Sequence, residues 1–522
     1  MSQEVEIYDT TSRDGSQGKR VNFTTKGKLR VIPILDDLGI DYIELGWPGS
    51  NPTDAEAFQK AAKLKLKHAT IVGFGATCKK GIKPQDDPSL IALIQAKVKV
   101  VTLFGKSSMS HVLKVLGTTP QENLRMIRDS CEFFRQAGLR VFFDAEHFFD
   151  GSKEDSNYAL KTLGAAVEGG AERVILCDTN GGTLPDRIGE LVRLVKAEIP
   201  VPLGIHCHND CGVAVYSSVV AVREGAFQIQ GTINGYGERC GNADLMQLIP
   251  VLQLKLGFKC LSADNMRKLT SVSGRVAKIV NMPPNYSQPF TGDDAFGHKA
   301  GVHVNAMVKL PTSYQHMAPE LVGNISHSTV SQLSGRANII SKAKEFGIKL
   351  SAEQIVVVLN LVKDSGKKGF QFDGADGSLK LVMMRQLVGY KQPFVVLKSE
   401  ARSCKIGRQK AVDSAIVEVR VNNTESAICF EIAEGKGTMN ALDMALRKAL
   451  LPHFPWLDKI RLVDYRLWVL DGDEGTAKTV KVLVDFSDGQ EIWTTTGCSE
   501  DLIEANLQAL EDGFEYAILK EV

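Results

Sequence analysis

Apolar and polar positions in the first half of the chain follow one repeated rhythm. A short apolar run at 5–8 breaks into the polar stretch Asp9-Thr10-Thr11-Ser12-Arg13-Asp14-Gly15, and apolar residues then recur at helical spacing over 25–38 until Gly39 stops them. The next apolar run, 42–45, restarts the cycle. Strands are expected at 5–8, 42–45, 69–74, 98–104, 139–144, 173–177, 203–208 and 228–233. The intervening helices are expected at 25–38, 54–64, 88–95, 120–137, 154–168, 185–198 and 213–224, with a last one at 243–256. Eight strand-helix units in strict alternation predict an α/β fold of the (β/α)8 TIM-barrel type rather than an open doubly wound sheet.

The rhythm then changes. Residues 261–389 read as mainly helical, Pro283-Pro284 and Pro289 mark a connector, and the Gly-, Lys- and Asp-rich stretch 366–377 reads as a flexible junction. Strands at 394–397, 415–421 and 427–432 precede a helix at 440–450, and strands at 460–469, 478–484 and 491–495 precede a helix at 501–519. Three strands and a helix, twice, indicate a duplicated βββα unit in a C-terminal α+β domain. The expected division is therefore 1–260, 261–390 and 391–522.

Composition narrows the partners. The 522 residues hold 62 Lys plus Arg against 61 Asp plus Glu, so no global basic field attracts nucleic acid or an anionic membrane. Ten cysteines without a CxxC pair, no secretory pattern at the start, and no apolar run near the roughly 20 residues of a membrane span predict a reduced, soluble, cytoplasmic protein. Small molecules and further copies of the chain remain as expected partners.

The polar clusters fall at strand ends: Arg13 and Asp14, Glu146, Asp178 and Thr179, His206 and His208, and residues 235–242. In a barrel those carboxyl ends share one face, so the clusters converge. His206 and His208, spaced i, i+2 on a strand, present both imidazoles on one side, a divalent-metal pattern that suits Mg, Mn, Zn or Fe(II). Asp14 is the expected third ligand and Asp210 the weaker alternative, while Cys207 points the other way as a small buried residue. Arg13 can neutralise an oxyanion on a substrate, and the Thr179 hydroxyl can hold a substrate carboxylate, although residues at such a turn also cap helices. The glycine-rich run Gly235-Tyr236-Gly237-Glu238-Arg239-Cys240-Gly241-Asn242 offers backbone N–H groups to a phosphate or carboxylate, but it lacks the ending of a nucleotide P-loop.

Six pieces together resemble one family: Arg13-Asp14-Gly15 with Gln17, Glu146, Asp178-Thr179-Asn180-Gly181, His206-Cys207-His208-Asn209-Asp210, Gly237-Glu238-Arg239-Cys240-Gly241-Asn242, and Phe296-Gly297-His298-Lys299-Ala300-Gly301-Val302-His303. They are similar to the acyl-CoA-condensing, metal-dependent barrels that include 2-isopropylmalate, homocitrate and citramalate synthases. The run from Phe143 to Gly151 resembles the citramalate type. The resemblance implies condensation of acetyl-CoA with the ketone of a 2-oxo acid, followed by thioester hydrolysis. It implies pyruvate as acceptor and a place in isoleucine biosynthesis, with 2-oxoisovalerate, the 2-isopropylmalate synthase acceptor, as the alternative. A metal-binding amino-acid sensor without turnover is the rival from another class.

On the same resemblance, Asp14, His206 and His208 hold the metal, Mg or Mn with Zn as a further choice. Arg13, Thr179 and Gln17 bind substrate, and Glu146 and His303 are acid/base groups alongside a catalytic Arg13. Gly237, Glu238, Arg239, Gly241 and Asn242 form the acetyl-CoA side. It further implies a homodimer whose C-terminal domain senses the end product, here isoleucine. Tyr314 is a candidate for a tyrosine that some relatives place beyond the barrel and is not carried over.

Overall fold

The computed structural model describes residues 3–521 apart from 284, 299–300, 329, 333, 368, 406–411, 423–426 and 471–477. The chain divides into two compact units, Met1–Phe296 with Met317–Ile325, and Gly297–His316 with Ser326–Val522.

In the first unit, β1 (Glu6–Asp9), β2 (Tyr42–Gly46), β3 (Thr70–Ala76), β4 (Val100–Lys106), β5 (Arg140–Glu146), β6 (Arg173–Asp178), β7 (Leu203–Cys207) and β8 (Gln228–Gly231) form a closed barrel. Every neighbouring pair that closes it is parallel, and β1 pairs with β8 from Glu6 opposite Gln228 to Asp9 opposite Gly231. The helices α1 (Thr25–Leu38), α2 (Pro52–Ala61), α3 (Pro88–Gln95), α4 (Pro120–Gln136), α5 (Phe148–Glu168), α6 (Pro185–Glu198), α7 (Ala214–Glu224) and α8 (Leu245–Pro250) alternate with them.

Local chemistry sets the helix limits. Pro52, Pro88, Pro120 and Pro185 open four helices at the position where a missing N–H costs nothing. Asn51, Asp87 and Thr119 cap three of these through their side chains. Gly39, at φ 89°, ends α1 in the left-handed region. Two limits differ from expectation. The helix expected from 154 begins at Phe148, because Phe148 and Phe149 bury an extra first turn and Asp155 merely interrupts it with non-helical angles. β4 and β5 each run two residues further than the apolar pattern, to Lys106 and Glu146, whose charges satisfy one another across the paired ends.

Alternation along the strands sorts side chains into two sets. Tyr8, Tyr42, Val72, Val100, Phe142, Ile175 and Cys177 fill the barrel interior. Ile7, Ile43, Val101, Phe143, Leu176, Ile205, Cys207 and Ile229 face the helices in the larger core. That core continues into the helix Leu269–Ile279 through Leu269, Val272 and Val276. Among the described residues, no helix is long and apolar enough to cross a membrane.

The second unit carries the helices Arg336–Glu345, Ala352–Lys367 and Asp376–Met384 and two antiparallel three-stranded sheets. The strands Phe394–Cys404, Val412–Val421 and Ala427–Gly435 precede the helix Thr438–Leu450, and Arg461–Val469, Val480–Ser487 and Ile492–Ser499 precede Leu502–Lys520. This is the duplicated βββα pattern, and one apolar core serves both copies. The stretch 366–377, expected as a junction by its composition, instead packs Phe372 into the helical cluster with Val358 and Leu379. Two phenylalanines outweigh the glycines there.

Candidate active site

The carboxyl ends of β1 and β7 bring Asp14, His206 and His208 together, all buried, with one ligand atom from each within 4.8 Å of the others. His206 Nε2 lies 3.1 Å and His208 Nε2 3.9 Å from Asp14 Oδ2. Burial alone would raise the Asp14 carboxyl, but Arg13 and then His206 hold it well below the usual carboxylate range. Burial lowers His206, and the Asp14 carboxylate overrides it, so that imidazole sits above its ordinary value. At His208 burial and then the neighbouring His206 outweigh the pull of Asp14 and push it down to about 4. A carboxylate and two imidazoles in a dry site fit a divalent cation. Two further buried atoms of these side chains and their neighbours, His208 Nδ1 and Asn242 Oδ1, have no hydrogen-bond partner.

The Asn242 amide turns from its loop to this cluster, meeting Asp14 Oδ2 at 2.6 Å and His206 Nε2 at 3.3 Å. The preceding glycines serve that turn. A Cβ on Gly237 would come within 1.9 Å of Asn242 Oδ1, and one on Gly241, at φ 89°, within 2.0 Å of the Gly235 carbonyl. The N–H groups of Gly241 and Asn242 donate to Glu238 and Gly235 within the loop, so these two are not open to an anion as expected. Arg239 grips Asp210 with Nε at 2.8 Å and Nη2 at 3.0 Å, and Nη2 also reaches the Thr179 carbonyl at 2.7 Å. One guanidinium thus ties together the loops after β6, β7 and β8, and it engages Asp210, the weaker ligand alternative. Glu238 is exposed beside it.

Arg13 is held on three sides. Nε meets Glu44 at 2.5 Å, Nη1 meets Asp14 at 3.1 Å, and the guanidinium lies 3.7 Å above the Phe74 ring. Burial opposes its charge, and Asp14 and Glu44 more than restore it. Glu44, fully buried, also accepts from the Tyr8 hydroxyl at 2.6 Å. Phe74 stacks on Phe104 at 5.3 Å, and Trp47 sets its edge against both rings. Gln17 is exposed on the single turn after Asp14.

Thr179 Oγ accepts from the His147 N–H at 2.8 Å, which leaves its own hydrogen to donate. Glu146 pairs with Lys106 on the adjacent strand. His303 belongs to the second unit, in the helix Gly301–Lys309, exposed and stacked on Tyr314 at 4.2 Å. Lys299 and Ala300, part of the same sequence motif, lie outside the described residues. Cys207 is 1% exposed on the helix side of β7, and burial pushes its thiol up. Glu44, Lys106, Asp144 and Gln230 escaped the sequence reading. Glu44 and Gln230 did carry a signal: each is a polar side chain at an interior-facing position of an otherwise buried strand.

Residues 4–276 match the HMGL-like family, 290–369 the homocitrate synthase post-HMGL domain, and 373–518 the LeuA allosteric (dimerisation) domain. An (R)-citramalate synthase from Geobacter sulfurreducens is 44% identical over 99% of this chain and 98% of its own. One from Aquifex aeolicus is 44% identical over 100% and 99%. The chain belongs to the (R)-citramalate synthase family. A probable 2-isopropylmalate synthase from Methanopyrus kandleri is more distant, at 32% identity over 98% of both chains. The family uses acetyl-CoA and depends on a metal.

Proposed function

We propose that this chain joins acetyl-CoA to pyruvate and hydrolyses the thioester, giving (R)-citramalate and CoA, in isoleucine biosynthesis. The observation that carries the reading is the convergence of Asp14, His206 and His208 with Arg13 at one barrel mouth, in a chain aligned end to end with citramalate synthases. Asp14, His206 and His208 hold a divalent cation, Mg or Mn, which when bound polarises the acceptor ketone as a Lewis acid. Arg13, with Nε and Nη1 committed to Glu44 and Asp14, turns Nη2 toward the oxygen that becomes an alkoxide. The free hydroxyl hydrogen of Thr179 donates to the acceptor carboxylate. Glu146 and His303 are the acid/base groups for the methyl proton of acetyl-CoA and for the later hydrolysis, Gln17 binds substrate, and Gly237, Glu238, Arg239, Gly241 and Asn242 shape the acetyl-CoA side.

Acceptor size follows from the strand order. The metal ligands occupy β1 and β7 and Thr179 follows β6, so the alkyl end of the acceptor points toward the ends of β2, β3 and β4, where Trp47, Phe74 and Phe104 stand. A wall of three rings suits a methyl group better than an isopropyl group. We further propose that residues 1–260 form the catalytic domain, 261–390 a linker and 391–522 a regulatory domain that binds isoleucine, in a cytoplasmic homodimer.

The test measures CoA release with pyruvate, 2-oxobutyrate and 2-oxoisovalerate. Pyruvate is expected to give the highest kcat/KM, and a preference for 2-oxoisovalerate would replace the reading with 2-isopropylmalate synthesis. His206→Ala is expected to abolish both turnover and Mn2+ binding. Ligand binding without turnover by the wild-type protein in added Mg2+ or Mn2+ would favour a sensor.

A further inference from the structure

His206 is one end of a hydrogen-bonded chain that crosses the barrel interior. Its Nδ1 lies 2.9 Å from Gln230 Oε1, and Gln230 Nε2 donates to Asp144 Oδ1 at 3.1 Å. The three residues stand on β7, β8 and β5, and none is more than 5% exposed, so water does not compete for these groups.

This chain has a direction. Gln230 Nε2 faces Asp144 Oδ1, an oxygen that accepts whether or not the other oxygen of the carboxyl carries a proton, and Oε1 is thereby turned toward the imidazole. An oxygen facing Nδ1 requires that Nδ1 carry the hydrogen. A neutral imidazole protonated there keeps its lone pair on Nε2, the atom 3.1 Å from Asp14 Oδ2. The opposite amide orientation would point a donor at Nδ1, place the hydrogen on Nε2 and block that nitrogen as a ligand. His208 has no such partner, since its Nδ1 is buried and unbonded.

We infer that Gln230, oriented by Asp144, is a positioning residue that holds His206 in its Nδ1–H tautomer and keeps Nε2 open to a divalent cation. This rests on the metal reading above. A side chain that only filled space would need glutamine's volume but not its oxygen, whereas this role needs an acceptor at 230 and a group at 144 that orients it.

The experiment titrates Mn2+ into the metal-stripped full-length protein by calorimetry. Gln230→Leu is expected to raise the Mn2+ Kd by about 10- to 100-fold. The exchanged pair Asp144→Asn/Gln230→Glu preserves the pattern, because Glu accepts from both His206 Nδ1 and the new Asn amide. It is expected to bind Mn2+ within about threefold of wild type, the variation that a hydrogen bond of similar strength allows. Unchanged affinity in Gln230→Leu, or an exchanged pair as weak as Gln230→Leu, overturns the inference. If Gln230→Leu fails to fold, the exchanged pair alone decides it, since loss of affinity there contradicts the role. Undiminished Mn2+ binding by His206→Ala refutes the metal reading instead, and the two failures are thereby distinct.

Discussion

Asp9 shows how a single buried carboxyl at the end of β1 acts on stability. It accepts from the Thr11 N–H at 3.1 Å and from the Thr11 hydroxyl at 2.6 Å, yet burial pushes its carboxyl up to about 7. The folded value is raised above the ordinary value of 3.8, so the unfolded chain releases this proton first. The group's contribution is fully present below pH 3.8 and is lost as pH rises through 7. Asp9→Asn, which cannot ionise, should raise the barrel's Tm at pH 8 by roughly 2 °C or more and change it little at pH 4. Melting curves at the two pH values check this, and equal shifts would contradict it. Asp144, pushed up to about 7 by burial and by Glu44, belongs to the same class of buried carboxyls. At this scale the histidine pair and Arg13-Asp14 were legible because charged residues directly after apolar strands need a reason to be there. Glu44 and Gln230 carried only the weaker signal of a polar residue within a buried strand, which does not say what it meets until the barrel's inside is known.

At the scale of elements, the strand ends matter more than the strands. Helix starts could be read wherever Pro followed a capping residue, as at Thr119-Pro120 and Asp87-Pro88. The ends of β4 and β5 could not, because Lys106 and Glu146 look like loop residues until each finds the other. The aromatic group after β2, β3 and β4 has the same origin: Trp47, Phe74 and Phe104 are far apart in sequence and meet only when three strands align. If these rings limit the acceptor, Trp47→Leu should improve kcat/KM for 2-oxobutyrate relative to pyruvate by about 10-fold, the usual worth of one methylene in a pocket. Pyruvate turnover should persist. An unchanged ratio in steady-state assays would place the size limit elsewhere.

For the whole molecule, regulation is proposed to reside in residues 391–522. Leu381 lies in the apolar core of the two βββα sheets, and Arg385 pairs with Glu515 at 2.6 Å and Asp512 at 2.7 Å. A truncation that tests the regulatory reading must therefore remove the helix Asp376–Met384 together with the sheets. A chain ending at residue 372 is expected to keep measurable CoA release and to lose inhibition by isoleucine, whereas retained inhibition would locate the effector site in the remaining chain. The eightfold alternation, the βββα duplication and the histidine pair follow from the chain alone, because periodicity and strand parity are local consequences of backbone geometry. Only the tertiary structure decided that Asn242 turns in to Asp14, that Glu44 and Phe74 lock Arg13, and that Asp144 reaches His206 through Gln230. Those contacts join residues on, or in the loops after, different strands, and closure of the barrel, not any local pattern, brings them within hydrogen-bonding distance.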